Sequence, residues 1–154
     1  MTTPVDTQVL NAVKALLVGQ TDALSIDTHR TEADPYTTAQ LPAINLLAVE
    51  ESIATPTTIG MAQGGAVHQH RLQLVVQVIT QGGSAAADQA RLVSAQAAQA
   101  IGLQPTLSGL CASALLPMGK QWLHDDDADT RLVRQNNLGV CGYRTHSHDP
   151  FTAI

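Results

Sequence analysis

The sequence predicts an α+β domain, a largely antiparallel mixed sheet with two main helices packed on one face. Three observations carry that reading. Apolar residues recur at helical spacing over residues 9–17 and again over 84–101. Residues 41–50, 67–80 and 132–145 alternate or run apolar in the manner of strands. The chain has 154 residues, the length of one domain, and shows no internal repeat. The expected organisation is therefore a single unit over residues 1–154, with a long inter-strand excursion at about residues 52–66.

The elements follow in order. Asp6 or Thr7 can cap a first helix whose face is Val9, Leu10, Val13, Leu16 and Leu17, with Gly19 placed to stop it. Residues 20–40, rich in Thr, Asp and Pro, read as a connection in which Ile26 sits on a short extended piece. In residues 41–50, Pro42 argues against a helix, and both faces of the resulting strand are expected to be covered. Residues 52–65 carry Pro56 and three glycines and suit an excursion rather than a tight turn. The clearest strand follows, with Leu72, Leu74, Val76 and Val78 on one face and Gln73, Val75, Gln77 and Ile79 on the other.

Ser84 can cap a second, Ala-rich helix running to about Ile101, with Leu92, Val93, Ala97, Ala100 and Ile101 near one stripe. An alanine face lets such a helix lie close against a sheet. Gly102 and Pro105 close it. Residues 107–116 read as a strand or a bent piece, and residues 118–123 as another strand with Trp122 filling a gap. Residues 125–129 form an acidic loop, and residues 132–145 alternate once more.

Composition narrows the function. Charged residues are 14% of the chain, against a usual ~25%. A shortage of charge on a molecule with this much surface suggests that other subunits cover part of it. The net charge of −5 argues against a protein that tracks nucleic-acid phosphates. No apolar run reaches the ~18 residues of a membrane span, and residues 1–6 are too polar for a signal peptide. Cys111 and Cys141 have no Cys-x-x-Cys spacing and read as small buried side chains; apolar surroundings would raise the Cys111 pKa.

Few residues invite chemistry. His68 and His70, and likewise His146 and His148, are two apart, so either pair on a strand could offer two imidazoles to one metal. Where a cupin-type site would place a glutamate, the chain has Leu74 and Val75, and exposed polar strand ends are the simpler reading of both pairs. Asp125, Asp127 and Asp129 match positions 1, 3 and 5 of a calcium loop, but Thr130 and Asn136 stand where Gly and Glu are needed. There is no nucleophile elbow and no phosphate loop. No catalytic residue, no metal and no cofactor is expected.

The order of features is nonetheless distinctive: the helix over residues 9–17, Pro42-Ala43-Ile44 entering the sheet, the strand over 72–79, the helix near 90–101, and Leu107-Ser108-Gly109-Leu110. Trp122 and the acidic stretch come next, then a closing Tyr143-Arg144-Thr145 with Pro150 shortly after. In this organisation, across nearly the whole chain, it resembles the tail terminator (minor tail protein U-like, or tail completion) proteins of long-tailed bacteriophages. The resemblance implies a non-enzymatic virion subunit, assembled in the host cytoplasm and located at the head-proximal end of the tail. Such subunits form a homohexameric ring on the tail tube, stop its polymerisation and meet the head-completion or neck protein. Genomic DNA would pass through the lumen without specific binding, and no membrane is involved.

On that reading, Thr57, Thr58, Met61, Gln63 and Val67 of the excursion, with Arg131, Arg134 and Arg144, are candidate contacts to a neighbouring subunit or the tube. Asp125, Asp126, Asp127 and Asp129 are candidates for an acidic lumen or rim. Two alternatives remain open: another neck, connector or tail-tube-like subunit, or a small metal-dependent or hydrolytic enzyme using His68 and His70.

Overall fold

The computed structural model of the chain describes residues 3–31, 33–54, 66–124 and 132–154. The order is α1 (Val5–Leu17), β1 (Ser25–Thr28), a short 3-10 turn (Thr38–Gln40), β2 (Ala43–Ala54), β3 (Val67–Gln81), α2 (Gly83–Leu103), β4 (Ser113–His124), β5 (Leu132–His146) and β6 (Asp149–Ala153). The strands form one sheet in the order β1-β2-β3-β5-β4, with β6 beside β5. Among the described residues only β1 and β2 pair in parallel; the other pairs are antiparallel. The α+β class and the mixed, largely antiparallel sheet are as the sequence predicts.

Both helices cover one face of this sheet, and one-sided burial explains the periodicities. In α1, Val5, Val9, Leu10, Val13 and Leu17 are buried. They meet Ile44 and Leu46 of β2 and Leu72, Leu74, Val76 and Val78 of β3 in one continuous core. Burying each such side chain contributes about 1.5–3 kcal/mol. The helix begins at Val5, one residue before the first expected cap, Asp6; its cap is Pro4, and Asp6 lies inside the first turn, where a carboxylate meets the positive end of the helix.

Helix α2 also starts differently from expectation. Its cap is Gly82, at φ +114, not Ser84. Only glycine adopts that conformation readily, so the chain can leave β3 and turn straight into the helix. The Thr80 hydroxyl, itself buried, donates to the Ala86 carbonyl at 2.7 Å and fastens the turn. Ala86, Ala90, Val93, Ala97 and Ala100 face the sheet, but Leu92 does not: it is exposed, one residue round the helix from Val93.

Several strand expectations change. Of residues 107–116, expected as a strand or a bent piece, 107–110 are turns, with Leu107 and Ser108 in the left-handed region and the Leu107 side chain buried. Residues 113–116 join the piece expected over 118–123 in one strand, β4, bent by bulges at Ser113/Leu116 and Pro117/Gly119. Strand β6, beyond the alternation over 132–145, adds an element the sequence does not predict. It takes the side of β5 beyond the reach of β4, and Pro150 is tolerated there because β6 is at an edge. β2 is covered on both faces only as far as Leu46; residues 49–54 are exposed. It also extends into the expected excursion, pairing Ser52, Ile53 and Ala54 with Arg71, His70 and Gln69.

Candidate functional site

The strand order leaves two long open margins. β4 pairs with β5 alone, so its other side is free among the described residues. At the opposite end, β1 is too short to cover β2, and their pairing ends at Thr28 and Leu46. Large apolar side chains stand at both margins. Val49 and Ile53 on β2 are 59% and 58% exposed, and Leu116 and Met118 on β4 are 57% and 51% exposed. Scattered exposed apolar residues are ordinary, but these are grouped on two opposite margins of one sheet.

Beside β4 lies a cleft of about 380 Å³ between α2 and the sheet, floored by Leu74, Val76 and Gly139 and flanked by Ala97, Ile101 and Leu116. The polar groups at its base are already paired. Asn137 donates through Nδ2 to the Val76 carbonyl and to the Ser94 hydroxyl, both at 3.1 Å.

A polar cluster occupies the other end of β3. The register sets His70 against Tyr143, and their rings stack at 4.4 Å and 7°. His70 Nε2 is 2.9 Å from the Thr145 hydroxyl, and Nδ1 lies 3.3 Å from a Glu51 carboxylate oxygen. The Tyr143 hydroxyl donates to that same carboxylate. Burial first, and then the bond to Glu51, hold the Tyr143 phenol well above its ordinary range. His70 is therefore held inside the domain, not displayed at an exposed strand end.

His68 meets His70 edge-on at 6.2 Å, and His146 stacks on His148 at 5.4 Å. Among the described residues, no group of three or more His, Cys, Asp or Glu side chains is placed to hold a metal ion. The spacing expectation thus brings each pair onto one side without completing a ligand set.

The two cysteines sit together. The Ala112 N–H donates to the Gly142 carbonyl at 2.8 Å, which brings the residues before them, Cys111 and Cys141, side by side as free, buried thiols. Their hydrogen bond lowers the Cys111 pKa despite burial and, together with burial, raises that of Cys141. The sequence expectation of a raised Cys111 pKa is corrected by this neighbour, which lies 30 positions away in the chain.

On the helix-free face, Arg30 organises the connection after β1. It reaches Asp27 at 3.2 Å and Asp34 at 3.4 Å and lies 4.1 Å over the Tyr36 ring. The Asn45 side chain exchanges two hydrogen bonds with the Arg30 backbone, at 3.0 and 2.9 Å, and so pins this segment to β2. Nothing in the local sequence marks Arg30 for that role; the partner is supplied by the parallel β1–β2 pairing.

The residues expected to make contacts fall in separate places. Val67 opens β3 opposite His146 and is half-buried. Arg134 lines a second cleft with Arg30, Tyr36 and Gln77, and its Nε is buried without a hydrogen-bond partner among the described residues. Arg144 is exposed near the end of β5. Thr57, Thr58, Met61, Gln63, Arg131, Asp125, Asp126, Asp127 and Asp129 lie outside the described residues. Sequence reasoning missed Val49, Glu50, Leu116, Met118 and Lys120, because an edge is a property of strand order. No helix among the described residues is long and apolar enough to cross a membrane.

No known protein family and no curated protein matches the chain. Among solved structures it is similar to a chain of the virion of a native gene transfer agent particle. The identity is 21% over 92% of this chain and 92% of that one, with a TM-score of 0.39.

Proposed function

We propose that this chain is a structural protein of a long-tailed phage-like virion, a tail terminator. In this reading six copies form a ring on the head-proximal end of the tail tube, end its growth and receive the head-completion or neck protein. The observation that carries it is the pair of open sheet margins, Val49 and Ile53 at one end and Leu116 and Met118 at the other. A chain with two different exposed margins is suited to associate head to tail, and rotation that closes on itself gives a ring. The low charge fraction and the family-like order of features along the chain support the same reading.

Asp125, Asp126, Asp127 and Asp129 are assigned to the lumen or rim, where repulsion keeps DNA from sticking. Thr57, Thr58, Met61, Gln63 and Val67, with Arg131, Arg134 and Arg144, are assigned to the neighbour or the tube. Hydrophobic burial supplies most of the association energy and charge pairing mainly the register.

The test is to add the purified protein to polymerising tail-tube subunits. Tubes of limited length, capped at one end, are expected. Tubes that lengthen unaffected would refute the terminator role, and tubes built from this chain itself would favour a tail-tube-like subunit.

A further inference from the structure

Cys111 and Cys141 are nucleophiles that the proposed function leaves unused. Cys111 closes the turns after α2, and Cys141 lies on β5. The Ala112 N–H on the Gly142 carbonyl and the Gly142 N–H on the Ser113 hydroxyl, both at 2.8 Å, tie the two stretches together at the residues that follow. Such pairing holds backbones about 4.8 Å apart, and a disulfide bridges Cα atoms roughly 4.4–6.8 Å apart. Both thiols belong to the same core cluster, and each is the other's hydrogen-bond partner. The chain has no third cysteine to compete.

We propose that Cys111 and Cys141 are an oxidisable pair, a site at which a small peroxide converts two buried thiols into an intramolecular disulfide. The Cys111 sulfur attacks one peroxide oxygen; the O–O bond breaks, and the hydroxide that leaves takes up the thiol proton as water. The Cys141 sulfur then attacks the sulfur of the Cys111 sulfenic acid. The S–S bond forms, the S–O bond breaks, and the departing hydroxide carries off the second proton. Two electrons pass from the sulfurs to the peroxide, and two waters are released. Cys111 attacks first, because its hydrogen bond to Cys141 lowers its pKa despite burial while that of Cys141 is raised.

Burial makes the site slow rather than inert. Residues 107–109 adopt three successive left-handed conformations, at φ 52, 59 and 88, and only the last is glycine. Such backbone is costly, so the turn leading to Cys111 opens before the sheet does and admits the oxidant. The bond spans 30 positions, encloses all of β4 and anchors that strand to β5 near its first residue. On the virion reading, the lock sets when the particle leaves the reducing cytoplasm of its host. The chemistry itself does not depend on that reading.

The test treats the full chain with hydrogen peroxide, once folded and once unfolded in urea, and counts free thiols by maleimide labelling after denaturation. In the folded protein both thiols should disappear together, without a covalent dimer, and return with dithiothreitol. The oxidised protein should melt about 5–10 °C above the reduced one. Thiols that stay free in the folded protein while the unfolded chain reacts would overturn the site. Disulfide-linked dimers, or oxidation that dithiothreitol does not reverse, would overturn it too. A disulfide that leaves the melting temperature unchanged would overturn the lock. Cys111→Ala and Cys141→Ala separate pairing from oxidation as such: neither should gain stability on treatment, and a gain in either would show that the bond between the pair is not its source.

Discussion

The Ser113 hydroxyl accepts a hydrogen bond from the Gly142 N–H at 2.8 Å and stands 2.7 Å from where a Cβ on Gly142 would be. One oxygen thus fastens the first residue of β4 to β5 and fills the space the missing side chain leaves. With the Ala112 N–H on the Gly142 carbonyl, residue 142 fixes where β4 joins the sheet.

Gly142→Ala should therefore destabilise the fold by about 1–3 kcal/mol, because the hydroxyl must swing away and leave the Gly142 N–H unpaired. Ser113→Ala in that background removes the clash and should recover part of the loss. Urea unfolding of the three proteins measures it. A Gly142→Ala protein as stable as the wild type would contradict the contact.

Tyr143 and Tyr36 give the fold a limit at high pH. Burial is the first cause raising both phenols, seconded by Glu51 for Tyr143 and by Asp27 for Tyr36. A group whose folded pKa is raised contributes its full stability below its unfolded pKa and loses it as pH climbs from there toward the folded value. Unfolding free energy should accordingly fall above pH ~10. Tyr143→Phe should cost about 1–2 kcal/mol at neutral pH and make that alkaline decline shallower. Denaturant midpoints across the range test both, and an unchanged slope would rule out Tyr143 as a source.

Close approach of α2 to the sheet depends on alanine. Ala90 is fully buried and Ala95, on the same helix, is exposed. Ala90→Leu should cost about 1–3 kcal/mol by overpacking. Ala95→Leu should stay within about 0.5 kcal/mol of the wild type. Equal melting temperatures for the two would mean that the helix does not pack as closely as described.

What the sequence reveals of this molecule is what one-sided burial imposes locally. The Val9 to Leu17 face and the Leu72 to Val78 alternation are legible because each repeats a helical or strand period against one core. Strand β6 escapes such reading: it is five residues long and mostly exposed, with Pro150 inside it, so no periodicity marks it. Leu107 looks like a strand residue by type yet is buried from a left-handed turn. His68 and His70 share a side as their spacing requires, but the Tyr143 ring that captures His70 arrives through the β3–β5 register. The meeting of Cys111 with Cys141 has the same long-range origin. The candidate interface is less legible still, since nothing local distinguishes Met118 on an edge from Val76 in the middle.

Size-resolved electron microscopy of the purified protein, over a range of concentrations, bears most directly on the central proposal. Closed annuli of about six copies with an open centre are expected. A species that stays a single copy at every concentration, with no annulus even at a tube end, would contradict it.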